Sequence, residues 1–369
     1  MITRADVVII GAGPAGLAAA IAASQNGFRA TVLDARMPPL DKPCGEGILP
    51  HGVAALRALG IHLDSSVATA FAGIRFEDEE SSARADFAEG TGFALRRVRL
   101  HRILMDRATQ AGVDFHWGAE VIHVDTDFVT TKENRIPYTW LIGADGQNSA
   151  VRKWAGLDKR DVRRKRFGFR RHFQVRPWSD AVEVHWAEGC QMFVTPTGEQ
   201  EVGVAVFSRD PQMRLEQALP RFPSLAEKLS GAVPTTSEMG DTTSLRRFPA
   251  VTQGCIALAG DASGTVDAIA GQGLSLSFQH AIYLAEALKQ GNLEQYEIFH
   301  RKIGATPVAM SRLMLLMDAN SALRRRTLRL FANSPNLFSK LLSVHSGTQP
   351  LSSIGVGEMA DFGWKMLWA

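Results

Sequence analysis

The chain has 369 residues, 45% hydrophobic and 21% charged, with a formal net charge of +3. That length and apolar content fit a soluble globular protein with a substantial core, holding two modest domains or one large domain with an added layer. The small charge excess argues against a nucleic-acid partner, and no apolar run is long enough to span a bilayer, which leaves a peripheral membrane contact at most. Three cysteines, Cys44, Cys190 and Cys255, make no full disulfide set and lack metal-ligand spacing. We therefore expect no metal and a reducing, cytoplasmic location.

The N-terminus enters an apolar strand at residues 7–10 almost at once, leaving no room for a signal peptide. Gly11-x-Gly13-x-x-Gly16 follows, and then an alanine-rich segment able to form a helix. Each glycine has a physical reason: Gly11 for a tight turn, Gly13 for close approach of a pyrophosphate, Gly16 for close packing of helix on strand. Phosphates would sit at the helix N-terminus, where free N–H groups and the dipole favour negative charge. A second apolar strand ends at Asp34, near the distance at which an acid meets a ribose hydroxyl. Arg36, just beyond, joins the candidate nucleotide contacts.

A polar, proline-punctuated loop leads into Pro43-Cys44-Gly45-Glu46-Gly47 and a helix over 51–59. Two glycines flanking a glutamate beside a free cysteine fit backbone packed against something flat; an ordinary turn with a buried cysteine is the alternative. Residues 94–111 show helical spacing with arginines opposite, and Arg97 sits where it can point back at the pyrophosphate. Strands over 113–117 and 120–124 are expected to complete βαβ units. A buried strand then ends at Asp145, with Ser149 and Arg152 on the next turn.

From residue 163 four segments alternate apolar and polar, separated by glycine and proline, as in an antiparallel sheet. His172, His185, Trp186 and Phe193 are candidates for a substrate-pocket wall, or simple packing. Residues 254–261 return to a buried strand ending at Gly260-Asp261, at the strand end where such sheets bind ligands. A small-residue loop and a helix over 274–288 follow, with Gly271 and Gly273 placed to offer N–H groups to an anionic ring. Residues 293–317 read as helical, bent or ended at Pro307. Residues 322–331 form a basic amphipathic helix, either a solvated face, a membrane contact or a lid. The apolar tail (Phe362, Trp364, Met366, Leu367, Trp368) is expected to pack.

Gly11-x-Gly13-x-x-Gly16, Gly143-Ala144-Asp145-Gly146 and Gly260-Asp261, in this order, resemble the three FAD fingerprints of the para-hydroxybenzoate hydroxylase fold. The cysteine-glycine-glutamate-glycine segment at Cys44 and the 260–273 stretch resemble its geranylgeranyl reductase-like branch. Ala268 departs from that branch, which commonly keeps a proline there. The resemblance implies an α/β protein: a Rossmann-type FAD-binding domain (1–160 and 245–300), an antiparallel-sheet substrate domain (161–244) and a C-terminal helical region (301–369). Residues 75–95 belong to either of the first two. It also implies FAD contacts from Gly11, Gly13, Gly16, Asp34, Arg36, Arg97, Asp145, Asp261, Gly271 and Gly273.

The expected function is a single-component FAD monooxygenase, driven by NAD(P)H, that hydroxylates or epoxidises a hydrophobic small molecule. The alternative is an alkene reductase, with Cys44 or Glu46 as the proton donor to test. A halogenase or a non-catalytic flavoprotein ranks below both.

Overall fold

The computed structural model describes residues 5–159 and 165–353, with 355 and 357. Its central sheet runs Thr252–Gln253, Ile256–Leu258, Arg135–Gly143, Ala5–Ile10, Ala30–Asp34, Asp114–Trp117. All neighbours are parallel except the first pair. The near-continuous apolar run of Val7, Val8 and Ile9 is fully buried, as a parallel strand covered on both faces demands.

The following helix, Pro14–Gln25, carries Pro14 in its first turn and alanines along its length. Small side chains let it lie close to the sheet. A Cβ on Gly16 would stand 1.8 Å from the Gly11 carbonyl oxygen, so only glycine permits the crossing.

Residues 120–124 do not complete a βαβ unit. Val121–Val124 turns back and pairs antiparallel with Phe128–Thr131, which pairs antiparallel with Arg135–Gly143. Only Asp125, Thr126 and Asp127 separate the first two strands, too few for a parallel crossover.

The second sheet has the order Val233–Pro234, Arg166–Gln174, Glu201–Ser208, Cys190–Gly198, Ala181–Ala187, Gly73–Glu77, Ser82–Asp86, with Met239–Thr243 also on Arg166–Gln174. Residues 73–86 thus join the antiparallel sheet, through a parallel pairing of Ala181 with Gly73. Gly92–Ala94 instead pairs with Gly47–Ile48 and Thr69–Phe71 in a small separate sheet.

Helices Leu293–Ala319, Ser321–Asn333 and Pro335–His345 cover one side of the second sheet. The first runs unbroken through Pro307, which is buried. The expected packing of the aromatic tail falls outside the described residues.

Candidate active site

A cavity of about 810 Å³ opens at the C-terminal ends of the parallel strands and is roofed by the second sheet. Gly11, Gly13, Asp34, Arg36, Arg97, Asp145, Asp261, Gly271 and Gly273 all line it. Gly16 lies beneath, packed on Gly11.

The glycine loop is shaped by contacts behind it. Gly11 has φ +104°, and a Cβ there would stand 2.4 Å from the Ala144 carbonyl oxygen. Asp34 accepts from the Ala12 N–H at 2.9 Å and from the Arg36 N–H at 2.9 Å. His101 bonds the Ala12 carbonyl at 2.9 Å, a support the sequence reading did not name. In front, the loop is open: a Cβ on Gly13 would meet nothing closer than Arg97 Nη2, at 4.0 Å. Arg97 is 7% exposed, its Nη1 has no partner, and burial holds its pKa below the usual guanidinium value.

A glycine cradle facing a buried, half-unpaired guanidinium is the arrangement a pyrophosphate requires. Asp145 caps the short helix Ala150–Trp154 by accepting from the Ala150 N–H at 2.7 Å, which fixes the second fingerprint. Gly271, with φ +62°, and Gly273 open the helix Gly273–Lys289, and nothing lies within 4 Å of a Cβ built on either. The Gly271 N–H, however, is spent on the Ala268 carbonyl at 3.0 Å, so it is not the free donor expected from the sequence; what the two glycines provide is side-chain-free space that a flat ring can fill. The residues present therefore fit FAD.

Lys42 was also missed. Its ammonium lies 3.2 Å from Asp241 and 3.6 Å from Asp261. Burial opposes its charge, but Asp261 and Asp241 outweigh that and hold its pKa above the ordinary value.

The junction between the sheets is a buried charge cluster around Glu46. Among the described residues Glu46 is the one non-glycine with positive φ, +61°. Its Oε1 accepts from the Arg97 N–H at 2.8 Å and from Arg170, while Oε2 meets His172 Nε2 at 2.6 Å. Arg170 also reaches Asp41 at 3.2 Å. The Glu46 N–H donates to Cys44 Sγ at 3.3 Å. Cys44 lines the cavity, and burial raises its thiol pKa. Arg170 went unnoticed because it stands 124 residues from Glu46 and no local pattern links them.

Of the four expected pocket residues only Phe193 lines the cavity. His172 stands behind Glu46 instead. In Ala181–Ala187 alternate side chains face opposite ways, so Val182 and Val184 face the cavity while His185 turns outward to Glu183, at 3.0 Å, and Phe222. Trp186 packs on Phe76 in the core beyond the wall. The far chamber is apolar, walled by Phe76, Phe207, Met314, Phe331 and Phe338. His345, from the last described helix, also lines the cavity, its pKa lowered by burial to about 4.

A family model described as an FAD binding domain matches residues 4–292. The chain is 27% identical over 325 residues to a menaquinone reductase of Mycolicibacterium smegmatis, covering 80% of this chain and 79% of that protein. It is 26% identical to a para-nitrophenol 4-monooxygenase of Pseudomonas sp., covering 88% and 91%. In fold it is similar to the crystal structure of a p-nitrophenol 4-monooxygenase from Pseudomonas putida, with a TM-score of 0.78, 19% identity and 99% of each chain covered. No described helix is long and apolar enough to cross a membrane.

Proposed function

Because the chain belongs to the FAD-binding domain family and is an FAD-dependent oxidoreductase, we propose that it is a single-component monooxygenase using NAD(P)H in the cytoplasm. Its substrate is an apolar aromatic, polyketide-like or isoprenoid small molecule, which it hydroxylates or epoxidises. Bound FAD supplies the electron transfer and the oxygen activation. Gly13 and Arg97 hold the pyrophosphate, Asp34 and Arg36 flank the adenosine ribose, and Asp261 with Lys42 meets the ribityl side. Gly271 and Gly273, having no side chains, leave room for the ring. The phenylalanines of the far chamber seat the substrate and exclude water, which otherwise competes with the reaction.

One observation carries the choice of chemistry: the Glu46 carboxylate is committed to Arg170, His172 and the Arg97 N–H. Burial pushes the Cys44 thiol pKa up, which makes it a weaker proton donor, and both Glu46 oxygens already have partners. Adding a hydride to an alkene needs such a proton at carbon, whereas oxygen insertion needs no acid from this wall. The second reading, an alkene reductase, rests on Cys44 reaching the cavity and on the similarity to a menaquinone reductase.

The test is NAD(P)H oxidation and product mass over a panel of lipophilic phenols and alkenes, with and without oxygen. We expect oxygen-dependent turnover, with Cys44→Ser within roughly threefold of wild type, since no general acid is lost. Anaerobic reoxidation of the reduced protein by an alkene, abolished by Cys44→Ser, overturns the proposal in favour of the reductase.

A further inference from the structure

Charge is distributed unevenly along this chain. Residues 298–345 hold eight lysines and arginines against one acid, Asp318. The whole chain has 41 basic and 38 acidic residues, so the remainder carries 33 and 37. The C-terminal helical layer is therefore strongly cationic on a body that is slightly anionic. Ahead of that stretch the same helix begins with Glu294 and with Glu297, which is held by Val251 and Thr252; within 298–345 the one acid, Asp318, is turned inward, its carboxylate 3.0 Å from Arg209 and paired also with Gln191.

The helix Leu293–Ala319 has two working faces. Met310, Leu313, Met314 and Met317 line the cavity. On the outside, Ile298, Lys302, Ala305, Ala309, Arg312 and Leu316 recur every three or four residues, so they form one stripe, and all six are exposed. Ile298 is 60% and Leu316 58% exposed, two of the five exposed large hydrophobics among the described residues. The next helix adds Arg325 and Arg326, which are exposed. Like Arg312, they pair with no acid among the described residues.

We propose that this stripe, with Arg325 and Arg326, docks the protein reversibly on an anionic lipid surface. Cations near such a surface are drawn by its negative potential, and their aliphatic stems can lie along it with the charge at headgroup level. Ile298 and Leu316 add apolar contacts that lipid can bury. A second copy of the chain fits poorly, because a two-fold contact through this stripe sets the Lys302 and Arg312 of one copy against those of the other with no acid in the stripe. A nucleic acid would satisfy the arginines but offers nothing to Ile298 and Leu316. The inference goes beyond the proposed reaction and does not depend on which chemistry the cavity performs.

The test is co-sedimentation of the full-length, FAD-loaded protein with vesicles of phosphatidylcholine alone, or with roughly one third phosphatidylglycerol. We expect binding to the anionic vesicles only, lost at high salt. Arg312→Glu/Arg325→Glu/Arg326→Glu should weaken it on the order of a hundredfold, with flavin absorbance and melting temperature unchanged. Should that variant fail to fold, the same three positions changed to Gln serve, with a smaller loss in the same direction. Binding to neither vesicle, equal binding to both, or undiminished binding by the variant overturns the proposal. So does concentration-dependent dimerisation that the variant abolishes, or equally tight capture of a duplex oligonucleotide.

Discussion

The floor and the roof of the cavity handle charge in opposite ways. The floor, on the parallel sheet, is made of main chain and glycine and leaves binding capacity open. Arg97 Nη1 has no partner, and the space before Gly13 is empty up to 4.0 Å. At the junction with the roof, charges close on one another, with Glu46 held by Arg170 and His172. The difference separates binding from framing. A group kept unpaired in a buried place costs stability and persists where a ligand completes it. A paired set costs less and fixes two layers relative to each other, so the floor should respond to substitution in cofactor affinity and the junction in stability.

The largest contrast lies within the glycine loop itself. Gly16→Ala places a methyl 1.8 Å from the Gly11 carbonyl oxygen and should yield little folded protein. The Cβ of Gly13→Val meets no protein atom nearer than Arg97 Nη2, so the variant should fold yet carry no FAD, because the side chain takes the pyrophosphate's place. Circular dichroism and flavin absorbance of the two purified variants check this; a folded, yellow Gly13→Val breaks the comparison.

Next comes the junction. Glu46→Gln leaves the buried Arg170 with only the partly exposed Asp41 as counter-charge and should cost about 3 kcal/mol in denaturant unfolding. A loss under about 1 kcal/mol, the range of exposed pairs, would mean that the cluster is not framing the layers.

Arg97→Ala sharpens the floor side. Losing a charge-assisted contact should weaken FAD binding by roughly ten- to a hundredfold, while Arg102→Ala, whose side chain is 81% exposed, should leave it unchanged. Dilution followed by flavin fluorescence measures both, and equal losses would reduce the arginines to a diffuse positive field.

The smallest effect concerns a histidine pair behind the third fingerprint. His280 stacks on His300 at 4.5 Å, and His300 bonds Ser263 at 2.9 Å. Burial, opposed by Glu297 and aided by Arg247 and Arg301, lowers the His300 pKa to about 4. A histidine held neutral in the folded state binds fewer protons than in the unfolded chain below pH ~6.5. Stability is therefore complete above that pH and falls as pH drops toward 4, by up to about 2 kcal/mol at pH 5. Unfolding curves at pH 7.5 and 5 should show this, and His300→Gln should shrink the difference; an unchanged slope in the variant refutes the assignment.

The glycine loop and the two strand-end aspartates were legible in the sequence because each is set by neighbours within a few residues, whereas Arg97 is placed by contacts with Glu46 and the loop at Gly13 that are distant in the chain. A turn needs a glycine, a helix start offers N–H groups, and a buried strand is apolar. That local logic gave the Rossmann-type class and the glycines and aspartates that line the cavity. It failed where pairing depends on distant chain. Residues 120–124 look like any strand, and the three-residue turn after them, not their composition, makes them antiparallel.

The remaining contacts exist only once the layers have packed. The tertiary structure brought Glu46 to Arg170 and His172 across more than a hundred residues, and turned Val184 inward while turning His185 outward. It also set Met314 and Phe338 from the C-terminal helices against the same chamber as Phe193. A sequence specifies which side chains are apolar or charged, but a pocket wall or a buried ion pair is a contact between chain segments. Those contacts depend on how the two sheets and the helices pack, because the interaction that stabilises each partner acts only over a few ångströms.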